Sequence, residues 1–319
     1  MLDRSFILRS AADAGFDLCG VTPCRHLARN ESFFRRWLAE GRHASLGYLE
    51  RNLDKRFDVR RLVEGARTVV VCAVSYKNAS SDGYPDGFRA KIASYALTGD
   101  YHPTIKAMLR SLFDRLRQAE PSLAGRAFVD SAPLLEKQLA VQAGLGWIGR
   151  QSLLVTPQFG SFVLLGELVV DAACDRYDEP YGGVGCGRCR RCIDACPAGA
   201  VCEDRAIDAR RCISCRTIER VSQRSMPLDG WIFGCDRCQN CCPYNRRAPM
   251  HRASAFDPLF DPLDYPPERW IAMGEEEFRV RFSGTALSRS GLRRLQDNAA
   301  SNLFGNGSER DAAGAAKTE

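Results

Sequence analysis

The first 172 residues alternate between apolar runs and amphipathic stretches. Apolar runs rich in β-branched residues over 68–74 and 161–170 predict buried strands, and a shorter run over 127–130 predicts a strand that ends at an acid. Apolar residues at helical spacing predict helices. The predicted helices cover 6–14, 33–40, 103–119 and a stretch that ends at 143. This alternation favours an α/β or α+β domain.

The rest of the chain follows a different pattern. Residues 171–185 are rich in Asp, Tyr and Gly and predict a linker, whereas 270–282 and 287–304 predict two closing helices. The residues from 305 onward are polar and predict a frayed tail. We therefore expect an α+β protein with three parts: an N-terminal α/β domain over 1–172, a ferredoxin-like cysteine domain over 173–252 and a C-terminal helical segment over 253–319.

Composition narrows the class of protein. The chain has 319 residues, a hydrophobic fraction of 45% and a net charge of +6. It contains no run of eighteen apolar residues, and its first residues do not resemble a secretory leader. These features predict a cytoplasmic protein without a membrane-spanning segment.

Fifteen cysteines are present, and eleven of them lie between Cys186 and Cys242. Cys186, Cys189, Cys192 and Cys196 follow the spacing C-x2-C-x2-C-x3-C-P, which is typical of a 4Fe–4S site. In this pattern the first three thiolates bind one cluster and the fourth is free to bind a second. Paired zinc ribbons are the structural alternative, but the ending in Cys-Pro favours iron–sulfur clusters.

The second half of the cysteine segment is not a copy of the first. Cys235, Cys238 and Cys241 keep the spacing, but the cysteine that precedes a proline is Cys242. If Cys242 crosses over, the two predicted ligand sets are Cys186, Cys189, Cys192 and Cys242 for one cluster and Cys196, Cys212, Cys235 and Cys238 for the other. Cys241 in place of Cys242 is the alternative.

Basic residues between Cys186 and Arg252 are all arginine, with thirteen Arg against seven acids. Arginine pairs with phosphates and stacks on bases, which suits an RNA partner. A GC-rich genome, or the negative charge of bound clusters, would explain the same bias.

Several ordered motifs resemble epoxyqueuosine reductases across nearly the whole chain. The motifs that carry the resemblance lie at 95–102, 128–136, 143–149, 160–168, 208–214, 233–238, 284–287 and 292–298. The resemblance implies an oxidoreductase that converts epoxyqueuosine to queuosine at the wobble position of tRNA. It also implies a cobalamin cofactor in the N-terminal domain, supplied with electrons by two 4Fe–4S clusters.

The resemblance assigns the proton donor to Asp130, at the end of the predicted strand. The residues alone favour a different interpretation of Asp130, as a helix N-cap or first-turn acid, and the resemblance reverses it; Glu136 has the same alternative. The implied cobalamin-binding positions are Arg51, Ala93, Asp130, Leu154, Leu165, Ser214 and Asp236. The sequence has no D-x-H-x-x-G motif, so we expect base-off cobalamin without a histidine ligand.

The expected partners are tRNA and a low-potential electron donor that the sequence does not identify. The resemblance places tRNA contacts at Cys215, Arg216, Glu219 and Arg220, and many relatives have Tyr at the position of Cys215. Further candidates for phosphate contacts are Arg210, Arg211, Arg224, Arg293 and Arg294. No heptad pattern demands a dimer, so we expect a monomer. Two alternatives remain at this stage: another corrinoid reductase, or a ferredoxin-type electron-transfer protein.

Overall fold

A computed structural model of the chain describes residues 1–219 and 226–305. Short strands and helices alternate along it. The strands are β1 (Leu18–Pro23), β2 (Thr68–Ser75), β3 (Lys91–Ile92), β4 (Gly125–Phe128), β5 (Trp147–Ile148), β6 (Leu154–Val155), β7 (Val163–Val170) and β8 (Trp231–Phe233). The helices are α1 (Arg4–Asp13), α2 (Ala28–Ala39), α3 (Leu53–Phe57), α4 (Tyr101–Ala119), α5 (Glu136–Gln142), α6 (Arg191–Asp194), α7 (Ile213–Ile218), α8 (Arg237–Asn240), α9 (Pro243–Arg247), α10 (Pro267–Ala272), α11 (Glu275–Phe282) and α12 (Leu292–Phe304).

The largest sheet has the strand order β1-β2-β7-β4, and all of its neighbouring strands are antiparallel. All eight residues of β2 are buried, because both faces of the strand are covered. Val70 and Cys72 pack in one core cluster with Ile105 of α4, while Val71 packs in another with Leu139 of α5. The predicted mixture of helix and sheet is confirmed, and the antiparallel order places it in the α+β class.

The elements with the strongest apolar periodicity lie where the sequence predicts them. α1, α4, β2 and β7 match the predicted ranges to within two residues at each end. Two other boundaries were predicted wrongly. α2 begins at Ala28 rather than 33, because its first turn is polar and gives no apolar signal. β4 ends at Phe128, because Asp130 has a φ of 55° and cannot continue a strand.

The predicted C-terminal helices are also interrupted. The stretch 270–282 forms α10 and α11, since Met273 leaves the helix with a ψ of 135° and Gly274 caps the next one. The helix predicted from 287 begins at Leu292, because Gly291 has a φ of 74°. The predicted tail after 305 lies outside the described residues.

A second core joins three parts of the sequence. β3 pairs with β8 in parallel, and Ile92 and Phe233 from these strands pack in one cluster with Trp270, Phe282 and Leu295. The segment 90–97 therefore packs against the C-terminal helices, although it belongs by sequence to the first predicted domain.

Buried polar contacts join the cysteine segment to three places in the first 172 residues, at Lys77, Ser94 and Ser161; we call this set of contacts the seam. Asp236 accepts hydrogen bonds of 2.7 Å from both the backbone N–H and the hydroxyl of Ser94. The Oδ1 of Asn245 accepts from the N–H of Ser161 at 2.6 Å. The Nζ of Lys77 donates to the carbonyl oxygens of Asn245 and Ala248, both at 2.9 Å.

Within the described residues, no helix is both long enough and apolar enough to cross a bilayer.

Candidate active site

A cleft of about 740 Å³ lies beside the loop that follows β4. Its size is typical of a pocket for a small molecule or cofactor. Its wall combines aromatic and polar side chains, among them Phe34, Trp37, Tyr48, Arg51, Arg56, Asp130, Glu136 and Gln151. Of the residues that the sequence assigns to catalysis or cobalamin binding, Arg51 and Asp130 line this cleft.

Two residues in the wall have buried donors without a partner. The Nε of Arg56 and the Nε2 of Gln151 make no hydrogen bond within the described part of the chain. A buried donor that makes no hydrogen bond costs free energy, so these two suit a ligand that brings acceptor groups. The Arg56 guanidinium also lies over the ring of Phe34, 5.5 Å from its centroid.

Asp130 lies on the cleft wall in a left-handed backbone conformation, with a φ of 55°. It does not cap α5, because the N-cap position of that helix is Leu135. The N-cap interpretation of Asp130 is therefore wrong. Its side chain is 49% exposed, so a molecule in the cleft can reach the carboxyl group.

Two residues of α4 hold the Asp130 carboxylate. The Tyr101 hydroxyl donates to its Oδ2 at 2.9 Å, and the Nε2 of His102 lies 3.5 Å from the same oxygen. Burial and the negative charge of Asp130 raise the pKa of Tyr101, which therefore keeps its proton and remains a donor. His102 is oriented by Asp100, whose Oδ1 lies 2.7 Å from its Nδ1.

Two further acids meet beneath this loop. Glu167 is fully buried in β7, and neither of its oxygens receives an N–H or O–H donor from the described residues. The carboxyl group of Glu136 is the ionisable group that interacts most strongly with it. Burial and the charge of Glu136 raise the pKa of Glu167 well above its ordinary value. Burial and the charge of Asp130 raise the pKa of Glu136 to about 7.

Glu167 was not among the predicted site residues, although the sequence carries a signal for it. An acid in the middle of an apolar run that predicts a buried strand is unusual and needs a partner. The partner, Glu136, lies in the same motif as Asp130, but the sequence does not indicate that the two acids meet.

The other positions implied for cobalamin do not appear among the residues that line the cleft. Ala93 and Asp236 are buried at the seam, where the Ala93 N–H donates to the Phe233 carbonyl at 2.9 Å. Leu154 is buried in β6, whereas Leu165 in β7 and Ser214 in α7 are half-buried.

A row of aromatic rings connects Asp130 with the seam. The ring of Tyr101, which binds Asp130, lies 6.3 Å from that of Tyr95, and Tyr95 lies 6.2 Å from Phe233. Phe233 is the end of β8, two residues before Cys235. The acid and the cysteine segment are thus joined by packed side chains.

The first predicted set of cysteines converges around one space. Burial, followed by the charges of Cys186, Cys242 and Cys189, raises the pKa of the Cys192 thiol to about 11. Cys186 also accepts a hydrogen bond from the indole N–H of Trp147 at 3.4 Å. Cys241 lies in the same region, since the charges of Cys192 and Cys242 add to burial in raising its pKa to about 11.

The second predicted set also converges. Burial and the charges of Cys212 and Cys196 raise the pKa of Cys235, and burial and the charges of Cys235 and Cys212 raise that of Cys238. The Ala200 N–H donates to the sulfur of Cys196 at 3.3 Å.

Among the described residues, no group of three or more His, Cys, Asp or Glu side chains is placed to hold a single metal ion. A cubane takes one thiolate on each of four irons, so its cysteines surround a wider space than those around one zinc ion.

The residues predicted to contact tRNA lie on and beside α7. Cys215 is half-buried, and Glu219 lies 3.7 Å from Arg289. Tyr48 lies on the cleft wall, between these residues and Asp130. Burial and the negative charges of Glu219 and Asp130 raise the pKa of its hydroxyl group. Arg216 lies on α7, whereas Arg220 and Arg224 lie outside the described residues.

The other candidate arginines differ in their surroundings. Arg210 forms two hydrogen bonds with Asp208, at 2.8 and 2.7 Å, and Arg294 donates to the Glu219 carbonyl at 2.7 Å. Arg211 and Arg293 are exposed.

Comparison with known proteins gives two family-model matches. Residues 56–131 match the model described as "Epoxyqueuosine reductase QueG, DUF1730", and residues 185–245 match the "4Fe-4S double cluster binding domain". An epoxyqueuosine reductase from Cyclobacterium marinum is 38% identical over 304 residues, which cover 92% of this chain and 94% of that protein.

Solved structures share the fold. An epoxyqueuosine reductase from Bacillus subtilis, with its catalytic aspartate loop swung out of the active site, is 25% identical and gives a TM-score of 0.81 over 95% of this chain and 81% of that one. An epoxyqueuosine reductase with an epoxyqueuosine-modified tRNA-Tyr stem loop is 24% identical and gives a TM-score of 0.82 over the same shares.

The raised pKa of Glu167 predicts a pH-dependent effect of Glu167→Gln. The folded protein retains a proton on Glu167 that the unfolded chain releases above its ordinary pKa of 4.5. Stability of the wild type should therefore fall, relative to the variant, by about 1.4 kcal/mol per pH unit as the pH rises above 5. The amide of the variant side chain would still donate to Glu136 but cannot ionise. Thermal unfolding at matched scan rates should give equal midpoints at pH 5 and a variant that is several degrees more stable at pH 8. A difference in midpoint that does not change with pH would contradict the protonated state of Glu167.

Proposed function

The chain belongs to the epoxyqueuosine reductase family, and from this premise we propose that it reduces epoxyqueuosine in tRNA to queuosine. The identity of 38% to a curated epoxyqueuosine reductase, over 92% of the chain, carries the proposal. The reaction takes two electrons and two protons, replaces the epoxide by an alkene and releases water. An enzyme for it needs an electron supply and an acid beside the substrate.

We assign electron supply to the cysteine segment, which belongs to a double-cluster domain. The proposed ligands are Cys186, Cys189, Cys192 and Cys242 for one 4Fe–4S cluster and Cys196, Cys212, Cys235 and Cys238 for the other. The convergence of the thiols supports both sets. N–H groups of Trp147 and Ala200 directed at sulfur would stabilise the reduced, more negative state of each cluster.

We place cobalamin in the cleft, where it would supply the chemistry that breaks the carbon–oxygen bond of the epoxide. The unpartnered donors of Arg56 and Gln151 fit a cofactor that is rich in acceptor groups. Arg51 is a further proposed contact on the cleft wall. Ala93, Leu154, Leu165, Ser214 and Asp236 remain proposed from the resemblance alone, because they do not line this cleft.

We propose that cobalamin binds base-off, without a histidine ligand. The sequence has no D-x-H-x-x-G motif, and no histidine is among the described residues that line the cleft.

Asp130 is the proposed proton donor to the departing epoxide oxygen. It is accessible from the cleft, and Tyr101 and His102 fix the position of its Oδ2. A general acid must lie within hydrogen-bond reach of the atom that it protonates, so this positioning bears directly on the rate.

We propose that tRNA approaches over α7, with contacts from Cys215, Arg216, Glu219 and Arg220. Exposed Arg293 extends this surface on α12. Phosphate contacts would make the affinity fall with rising salt. A tRNA substrate also implies a cytoplasmic location. We also propose that the chain has three domains, over 1–172, 173–252 and 253–319, and that it is a monomer. An electron donor of low potential would reduce its clusters.

Replacement of Asp130 tests the assigned acid. Anaerobically reconstituted wild-type protein should convert epoxyqueuosine in tRNA to queuosine, measured by mass spectrometry of the nucleosides. Asp130→Ala should lower the turnover at least about 100-fold, because it removes the proton donor. The exposed Asp114→Asn on α4 is the matched control and should retain full turnover.

Absorption spectra should show that Asp130→Ala still binds cobalamin. Full turnover by that variant would contradict the role of Asp130. No turnover by the wild type under conditions that activate a known epoxyqueuosine reductase would contradict the proposed function.

The choice between Cys242 and Cys241 is testable by iron content. The wild type should hold about eight iron atoms, as two 4Fe–4S clusters require. Cys242→Ala should lose about half of the iron, because one cluster lacks a ligand, whereas Cys241→Ala should retain all of it. Iron analysis with Mössbauer spectroscopy distinguishes these results, and the reverse outcome would assign Cys241 as the ligand.

A further inference from the structure

Glu167 holds an unusual position in the sheet. It lies in β7 between Phe128 of β4 and Val71 of β2, and its neighbours on the same face are apolar. No described N–H or O–H group donates to its carboxyl oxygens. A buried acid without a donor must be neutral, and its own O–H then needs an acceptor.

The candidate acceptor is Glu136, the first residue of α5. It is the ionisable group that interacts most strongly with Glu167, and its Oε1 accepts the backbone N–H of Asp130 at 2.6 Å. A hydrogen bond from a protonated Glu167 to Glu136 would therefore complete a path from the interior of the sheet to the backbone of the proposed acid.

We propose that Glu167 and Glu136 share one proton and act as a latch that positions Asp130. Glu167 donates this proton to Glu136, and the charged oxygen of Glu136 holds the Asp130 N–H. The role of the latch in catalysis rests on the proposed function; its existence does not.

The backbone of Asp130 explains why such a latch is needed. Its φ of 55° is unfavourable for a residue with a side chain, so the loop requires fixed contacts to stay in this conformation. Tyr101 and His102 hold only the side chain, whereas Glu136 holds the peptide N–H. A hydrogen bond to a charged acceptor is stronger than one to a neutral acceptor, so the ionised state of Glu136 matters.

The charged groups around the pair favour one shared proton. Asp130 and Lys137 are the ionisable neighbours of Glu136 besides Glu167. The ionisable neighbours of Glu167 are Asp130 and Glu136. If Glu167 ionised, its negative charge would lie in the protein interior near the carboxyl groups of Glu136 and Asp130, and this repulsion opposes its ionisation.

Hydrogen–deuterium exchange of the segment 129–135 tests the latch without any assay of turnover. Glu136→Ala removes the acceptor and should speed exchange of this segment about tenfold, as expected for the loss of a charged hydrogen bond. Glu167→Leu removes the donor and should act in the same direction. Glu167→Gln keeps a donor and should restore wild-type exchange.

Val169→Ala is the matched control, since Val169 lies two residues from Glu167 on the same face of β7 and is fully buried. It disturbs packing but leaves the two carboxyl groups in place, so it should not change exchange of this segment selectively. Unchanged exchange of this segment in Glu136→Ala would overturn the latch. So would equally fast exchange in Glu167→Gln and Glu167→Leu. If Glu167→Leu does not fold, Glu136→Ala and Glu167→Gln decide the question.

Kinetics then test whether the latch serves the reaction. Glu136→Ala should lower kcat about tenfold with little change in KM for tRNA, because the acid is displaced while the binding surface remains. Glu167→Gln keeps a donor to Glu136 and should retain most of the wild-type kcat. A wild type that does not reduce epoxyqueuosine would disprove the proposed function, whereas the exchange measurements would still decide whether the latch exists. Faster exchange with unchanged kcat would restrict the pair to a structural role.

Discussion

The seam of buried polar contacts between the cysteine segment and the first 172 residues fixes the geometry on which the proposed chemistry depends. Asp236 accepts two hydrogen bonds from Ser94, and Asn245 binds Ser161. Buried groups of this kind are costly unless every partner is in place, so they specify one arrangement. The thiols of the cysteine segment are thereby held at fixed positions relative to Asp130.

This arrangement separates two tasks that the reduction of an epoxide requires. Electrons would enter through the cysteine segment, whose thiols converge in two groups, while a proton would come from Asp130 on the opposite side of the aromatic row. Tyr95 and Tyr101 fill the space between, so the two parts are close yet distinct. The buried pair of Glu136 and Glu167 adds a third element, which controls the backbone of the acid rather than the reaction itself.

Local patterns in the sequence account for much of this fold, and contacts between distant residues account for what was missed. The apolar runs located β2 and β7, and the cysteine spacing located the segment that matches a double-cluster domain. The sequence did not predict that Asp130 leaves the strand with a positive φ, because nothing local forces a non-glycine residue into that conformation. Nor did it pair Glu167 with Glu136, which lies 31 positions away in the chain. The break at Met273 was missed because apolar residues continue at helical spacing on both sides of it.

The central claim is that this chain removes the epoxide from epoxyqueuosine in tRNA. The most direct test is mass spectrometry of tRNA nucleosides from a strain that lacks the gene for this protein and has no other enzyme for the step. Our account predicts that epoxyqueuosine accumulates, that queuosine disappears, and that the wild-type gene reverses both changes. Unchanged queuosine in the deletion strain would contradict it.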